Sequence, residues 1–190
     1  AYHGGGLVAF EVGTVDGVSG ISTDLVTAGS FIELSAGGAV TQSAGADLQT
    51  RNLLLLGTGS YSLSNDGNGT IFLAAAITGS LTYVDADALT VGSISGTAGI
   101  TTGVATTDSS ISLSTVDGAL SVEDTKSGAD VDAGTGTVFL NAASIATDNL
   151  LTLNTDAGVT GTGGIPLRSN GMTIGAAVNG GTSTVRLETD

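Results

Sequence analysis

The feature that most constrains this chain is a short strand-like unit that recurs along it. Each copy is a small or turn residue, then an apolar-x-Leu triplet, then further small residues. The two most similar copies are GTIFLAA at 69–75 and GTVFLNA at 136–142. The copies lie at 30–35, 52–57, 69–74, 110–114, 136–141, 164–167 and 183–187. Such internal similarity is the signature of a repeat architecture, in which each unit buries its apolar face against its neighbours.

Apolar and small polar residues alternate within each copy, which predicts a half-buried β-strand. In the first copy of the similar pair, Ile71 and Leu73 should share one face and Phe72 the other. Equivalent positions recur about every 20 residues, which suits one coil of a β-solenoid. They are Ile32, Leu54, Ile71, Leu89, Ile111, Val138, Ile165 and Val185. We predict eight or nine coils, a rod on the order of 40 Å long at about 4.8 Å per coil. Its interior ladders should include Ile71, Leu73, Ile111, Leu113, Val138, Leu140, Val185 and Leu187.

Composition agrees with an all-β repeat protein. The chain has 31 glycines, one proline and no tryptophan, and Gly, Ser, Thr, Asn and Asp favour turns over helix interiors. Aromatic residues make up only 4%, and stacked coils can be filled by aliphatic side chains alone. A β-sandwich is the alternative fold, because strands at intervals of roughly ten residues also describe that class.

The charge of the chain argues against several kinds of partner. The net charge is −14, with four Lys and Arg residues in all, so a basic footprint for nucleic acid is absent. We therefore expect no nucleic-acid partner, and no insertion into a membrane, since no apolar run is long enough for a spanning helix. The chain has no cysteine and a single histidine, His3, so we expect neither a zinc centre nor a Ser-His triad. We expect no enzymatic activity and no cofactor other than calcium.

Three segments carry a resemblance to a known family. They are SSISLSTVDGALSV at 109–122, DAGTGTVFLNA at 132–142 and GTGGIPL at 161–167. They resemble the filamentous-haemagglutinin-like β-strand-repeat bacterial surface and adhesin proteins, and the resemblance covers residues 30–190. It implies a right-handed parallel β-helix that is secreted to the cell surface and serves in adhesion, in a biofilm or in a surface fibre. Residues 1–29 match less clearly and are interpreted as a cap or joining segment.

Two pairs of carboxylates are candidate calcium ligands: Asp85 with Asp87, and Asp130 with Asp132. In an extended segment each pair shares one face, and carboxylates about 7 Å apart can bind Ca²⁺ together with backbone oxygens. Solvated turn residues are the alternative interpretation, and an acid/base pair is another. The segment 65–69 lacks the terminal Glu of an EF-hand loop and is predicted to be a tight turn. It contains the glycosylation sequon that begins at Asn68, which we expect to be exposed.

Function is expected to be structural or adhesive. The expected partners are further copies of the chain in a filament, the continuation of a larger chain, and a cell-surface glycan or protein receptor. A carbohydrate-binding or carbohydrate-cleaving solenoid is the first alternative, with Tyr61, Tyr83, Phe72 and Phe139 as candidate sugar-stacking residues. A pilin-like sandwich that donates residues 7–12 as a strand is the second.

Overall fold

The computed structural model describes residues 2–3, 9–102, 109–126, 129–143 and 150–189. All regular secondary structure within these ranges is β-strand. The strands in chain order are β1 (Tyr2–His3), β2 (Phe10–Val12), β3 (Thr14–Val15), β4 (Val18–Ser19), β5 (Ile21–Ser22), β6 (Phe31–Ala36), β7 (Val40–Gln42), β8 (Leu48–Gly57), β9 (Tyr61–Leu63), β10 (Gly69–Ile77), β11 (Leu81–Asp85), β12 (Leu89–Val91), β13 (Ser93–Ile94), β14 (Thr97–Ala98), β15 (Ile100–Thr102), β16 (Ile111–Thr115), β17 (Leu120–Val122), β18 (Ala129–Asp132), β19 (Val138–Ala142), β20 (Leu150–Leu153), β21 (Gly158–Thr160), β22 (Ile165–Ser169), β23 (Gly171–Ile174), β24 (Val178–Asn179) and β25 (Val185–Glu188).

Two long parallel sheets form the molecule. Sheet A has 13 strands, and sheet B has eight, in the order β2-β7-β9-β11-β16-β19-β22-β25. From β7 to β11 the chain alternates between them, so that β9 of sheet B is followed by β10 of sheet A and then by β11 of sheet B. Beyond β10, sheet A divides into two rows, β12-β17-β20-β23 and β15-β18-β21-β24, so each later coil contributes two strands to it. This is the predicted parallel β-solenoid. It excludes the β-sandwich, whose sheets are antiparallel. Each coil contributes one strand to sheet B, so the described residues form eight coils, within the predicted number.

The core is a set of aliphatic ladders between the two sheets. In sheet B, Leu81 pairs in register with Ile111, and Ile111 pairs with Val138. Two residues further along, Leu113 lies between Tyr83 and Leu140. All of these side chains are at most 1% exposed, because alternation turns every second residue of each strand inward. Complete burial of such a side chain stabilises the fold by roughly 1.5–3 kcal/mol.

The positions predicted to be equivalent from coil to coil are not all equivalent, since they belong to two different sheets. Ile32 and Leu89 lie in sheet A, whereas Ile111 and Val138 lie in sheet B. Ile32 pairs with Leu53 and not with Leu54. The repeat unit therefore marks strands of either sheet, and its spacing alone does not distinguish them.

The prediction that Ile71 shares the inward face of Leu73 is wrong, because the long strands of sheet A bend at a corner there. In β10, Thr70 and Leu73 are buried, and both residues between them, Ile71 and Phe72, are half-buried. The neighbouring strand β8 bends at the equivalent point, where Arg51 and Asn52 are also half-buried. The pairing of the two strands skips this position, with Thr70 opposite Thr50 and Phe72 opposite Asn52. Two consecutive residues thus turn away from the core, and the alternation changes phase.

Two antiparallel hairpins, β3–β4 and β13–β14, project from the coils and share one design. Residues 12–21 read VGTVDGVSGI and residues 91–100 read VGSISGTAGI. Both tips have two positive φ angles, 50° at Asp16 and 80° at Gly17 in the first hairpin, and 51° at Ser95 and 86° at Gly96 in the second. This is the type I′ geometry that suits the twist of a two-residue hairpin. The Asp-Gly dipeptide at 16–17 marks the first of these turns, and the repeated glycine spacing marks the second.

The environments of the two hairpins differ. Ile94 of the second hairpin is 6% exposed and packs on Leu54 and Ala74, which face outward from β8 and β10. The equivalent Val15 of the first hairpin is 74% exposed, and its neighbour Val18 is 71% exposed. The second hairpin therefore lies against coils that precede it in the chain, whereas no preceding coil is described beneath the first.

Candidate functional sites: buried polar groups and the two ends of the solenoid

Asp85 is completely buried, at the end of β11. Its Oδ2 atom accepts hydrogen bonds from the Thr70 amide at 2.8 Å and from the Tyr83 hydroxyl at 3.0 Å. Its Oδ1 atom accepts one from the Asp87 amide at 3.0 Å. The Tyr83 hydroxyl also lies 2.7 Å from the hydroxyl of Thr70. The carboxyl thus joins β10 to β11 and to the bend that follows.

Burial raises the pKa of the Asp85 carboxyl from 3.8 to about 6. The hydrogen bonds from Asp87, Thr70 and Tyr83 oppose the rise in pKa, and the nearby charge of Asp87 adds to it. Desolvation dominates because an ionised carboxylate loses more hydration than these donors restore. Burial also raises the pKa of the Tyr83 hydroxyl well above 10.

The predicted shared face of Asp85 and Asp87 is not formed. Asp85 is buried and Asp87 is exposed, because β11 ends at Asp85 and the chain bends at 86–87. In the second pair, Asp130 is buried and Asp132 is half-buried in β18. Asp130 Oδ1 accepts hydrogen bonds from the amide and hydroxyl of Thr125, at 2.8 Å and 2.6 Å. A register shift between residues 129 and 131 turns Asp130 inward beside Val131.

Calcium binding at these pairs stays a prediction. Among the described residues, no three or more His, Cys, Asp or Glu side chains lie together where they could hold a metal ion. Asp130 Oδ2 is buried and has no hydrogen-bond partner, whereas both oxygens of Asp85 accept bonds from protein donors. Of the two pairs, Asp130 with Asp132 therefore has the greater capacity left for a cation.

Asn68 is a buried amide, which overturns the expectation that its sequon is exposed. The tight turn predicted at 65–69 is present between β9 and β10, but it turns Asn68 into the solenoid, where it is 0% exposed. Its Oδ1 atom accepts bonds from the Leu48 amide at 2.9 Å and from Gln42 Nε2 at 2.6 Å. Its Nδ2 atom donates to the Val84 carbonyl at 3.0 Å. The side chain thus links three successive coils and is inaccessible to a glycosylating enzyme in the folded chain.

The aromatic residues proposed for sugar stacking are largely in the interior. Tyr61 and Tyr83 are at most 1% exposed, and the Tyr61 hydroxyl shares its one proton between the carbonyls of Leu34 and Leu56, at 2.9 Å and 2.6 Å. Phe72 is half-buried, with the Arg51 guanidinium 5.5 Å from its ring centroid. The assignment of the two tyrosines to sugar binding is therefore wrong, because a stacking platform must face solvent.

A shallow groove of about 360 Å³ crosses the outer face of the last coils. Its lining includes Thr137, Pro166, Ser183 and Arg186. Carboxylates and aromatic rings are missing from the described lining, so this groove lacks the acid pair that glycoside cleavage requires.

Exposed large apolar side chains mark both ends of the solenoid. Within the described ranges they fall at 15–31 and at 174–187, with none in the coils between. They are Val15, Val18, Ile21, Leu25, Val26, Phe31, Ile174, Val185 and Leu187. The repeat pattern predicts that Val185 and Leu187 lie in interior ladders. They do continue those ladders, but they are 39% and 60% exposed because no described coil lies beyond them.

The described residues contain no helix of sufficient length and apolar character to cross a bilayer. Comparison of the chain with models of protein families, with curated proteins and with solved structures finds no match.

Proposed function

We propose that this chain is a structural or adhesive segment of an extracellular fibre on a bacterial surface, in which solenoids join end to end. The observation that supports it is the placement of exposed large apolar side chains at the two ends of the rod and nowhere between among the described residues. Exposed sheet edges recruit further strands. A contact between two different ends does not close on itself, so it extends into a filament.

The physical basis of this function is mechanical. Backbone hydrogen bonds between parallel strands run along the axis of the rod, and continuous aliphatic ladders resist separation of the coils. The net charge of −14 keeps the sides of neighbouring rods apart, because like charges repel. Association is thereby directed to the apolar ends.

Electron microscopy of the purified chain, with and without a calcium chelator, tests this proposal. We expect filaments whose width matches a single solenoid and whose length grows with protein concentration. Loss of the filaments on chelation would assign calcium to the Asp pairs, and persistence would leave assembly to the apolar ends alone. Short particles of uniform size at every concentration would contradict self-assembly.

A further inference from the structure

We infer that the junction of this fibre is formed by β25 of one copy and β2 of a second copy, which continue sheet B across the boundary. The inference rests on the proposed function and specifies its partner, a second copy of this chain, and its contact surface. Among the described residues, β2 pairs only with β7 and β25 only with β22. Within the part of the chain that the structure describes, these are the two edge strands of one parallel sheet, so a second copy can meet β25 in the way that β25 meets β22.

The register of sheet B determines which residues would meet. The inward row begins at Phe10 and ends at Val185, through Val40, Tyr61, Leu81, Ile111, Val138 and Ile165. Continuing this register sets Phe10 of the second copy beside Val185 and sets Val12 beside Leu187. One coil inside the end, Ile165 and Leu167 are 0% exposed. A docked β2 would bury Val185 and Leu187 in the same way.

Charge complementarity supports this register. The outward row between the two apolar rows begins at Glu11 and ends at Arg186, through Thr41, Ser62, Thr82, Ser112, Phe139 and Pro166. Its only charged members are thus the first and the last, and their charges are opposite. Glu11 is exposed, and the Arg186 side chain is 67% exposed. Docking sets the two side by side, in a chain that has only four Lys and Arg residues.

Sheet A can continue at the same junction. Its strand β1 pairs with β6, with Tyr2 opposite Leu34. From Leu34 an inward row runs through Leu55, Ala75, Ile100, Val131 and Val159 to Val178 of β24. Since β1 and β2 are consecutive along the chain, as are β24 and β25, both sheets would add one coil at the same level.

No coil is described beneath the first hairpin, at the position where a docked copy would lie. The second hairpin, of the same design, lies along the outside of the coils that precede it and packs on Leu54 and Ala74. A hairpin β3–β4 in the same orientation would lie along the outside of the preceding copy. Docking would then reduce the exposure of Val15 and Val18.

Charge reversal tests the junction. We expect the single variants E11K and R186E each to weaken association about ten-fold or more, because each sets like charges side by side. The double variant E11K/R186E restores an opposite pair and should assemble as the wild type does. A mixture of the two single variants should co-assemble, since the reversed charge at position 11 of one variant can meet the reversed charge at position 186 of the other. Sedimentation velocity and electron microscopy measure the association, and thermal unfolding of the dilute variants verifies that each is folded.

The outcomes separate this inference from the proposed function. Wild-type filaments that are unaffected by either single reversal would overturn the β2–β25 junction and leave the fibre function standing. Weakening without rescue in the double variant would also overturn it, because Arg186 forms an ion pair with Glu188 and the loss could then be local. A wild-type chain that stays monomeric would overturn self-assembly and the junction together.

Discussion

At the scale of single residues, a few polar side chains face the interior and are held there by hydrogen bonds. Asn68, Thr70 and Asp85 are at most 2% exposed in a core that is otherwise aliphatic. Burying such groups is tolerated when they are paired. Their hydrogen bonds join residues of neighbouring coils and require particular partners, so they fix the register of those coils. Contacts between aliphatic side chains are less specific, because one such side chain can replace another.

The pKa of Asp85 predicts a pH dependence of stability. Because its pKa in the folded chain is raised to about 6 from 3.8, the folded state binds a proton that the unfolded state has released. The stability contributed by this group is fully present below pH 3.8 and is lost as the pH rises through 6. A shift of this size corresponds to about 3 kcal/mol. We expect the free energy of unfolding of the wild type, measured by urea denaturation, to fall between pH 4 and pH 8. In Asp85→Asn the part of this fall that comes from residue 85 should be absent.

Asp87→Asn is the matched control, because Asp87 carries the same charge two residues away and is exposed. This variant should keep most of the pH dependence, since the largest cause of the raised pKa is the burial of Asp85. A wild-type chain and an Asp85→Asn chain with the same pH dependence would show that Asp85 does not titrate in this range.

Removal of the Asn68 amide should strongly destabilise the chain. In Asn68→Ala the Leu48 amide and the Val84 carbonyl lose their partner, and each buried unsatisfied group costs about 1–3 kcal/mol. We expect a loss of about 3 kcal/mol in the free energy of unfolding, measured by denaturant titration. Asn154→Ala, at an exposed position, should stay within about 0.5 kcal/mol of the wild type. Similar losses for the two variants would contradict the structural role of Asn68.

At the scale of elements, the two hairpins show which features depend on local sequence and which depend on packing. Their turns are the same, whereas the surfaces beneath them differ. Their glycines fix the same turn and the same base, where the amide of Gly20 donates to Gly13 at 3.1 Å and that of Gly99 donates to Gly92 at 3.0 Å. A side chain at Gly20 or Gly99 would collide with the carbonyl of the following coil, since a Cβ atom would lie 2.1 Å from Asp47 O or 2.2 Å from Asp130 O. Of the two hairpins, the second packs on an apolar surface of the same chain, and no such surface is described beneath the first.

This difference predicts unequal effects of equivalent substitutions. Ile94→Ala should lower the free energy of unfolding by about 2 kcal/mol or more, because it opens a cavity over Leu54 and Ala74. Val15→Ala should change it by no more than about 0.5 kcal/mol in dilute solution, where Val15 faces solvent. Thermal unfolding of both variants at low concentration measures the difference. A large loss for Val15→Ala would show that the first hairpin also packs on its own chain.

The sequence predicted the strands better than it predicted their surroundings. Alternation located β16 and β19 correctly, because all of their core positions except Thr115 are aliphatic. It failed at Ile71, where a corner interrupts the alternation without a proline or glycine to mark it. Asp85 could have been placed inside, since it continues the inward row of Leu81 and Tyr83, but a carboxylate at a strand end is more often solvated. The burial of Asn68 depends on three coils that meet at one side chain, and no local pattern encodes such a contact.

At the scale of the whole molecule, coils contact only their neighbours, so an end coil receives half the support of an inner one. Leu167 lies between Leu140 and Leu187, whereas Leu187 has a described ladder neighbour on one side only. In quasi-one-dimensional folds of this kind, stability is approximately a sum over such interfaces. Among the described strands, β2 and β25 at the two ends of sheet B therefore have the least support, and at the proposed junction a docked copy would supply the interface that each lacks.

This asymmetry gives a prediction that links stability to assembly. Leu167→Ala should cost about 2–5 kcal/mol at any protein concentration, because the cavity it leaves is internal to one chain. Leu187→Ala should cost little in dilute solution, since the side chain is 60% exposed. Association stabilises the folded state by mass action, so the thermal midpoint of the wild type should rise with concentration and that of Leu187→Ala should rise less. Calorimetry over a concentration series measures both midpoints, and equal concentration dependence would exclude Leu187 from the junction.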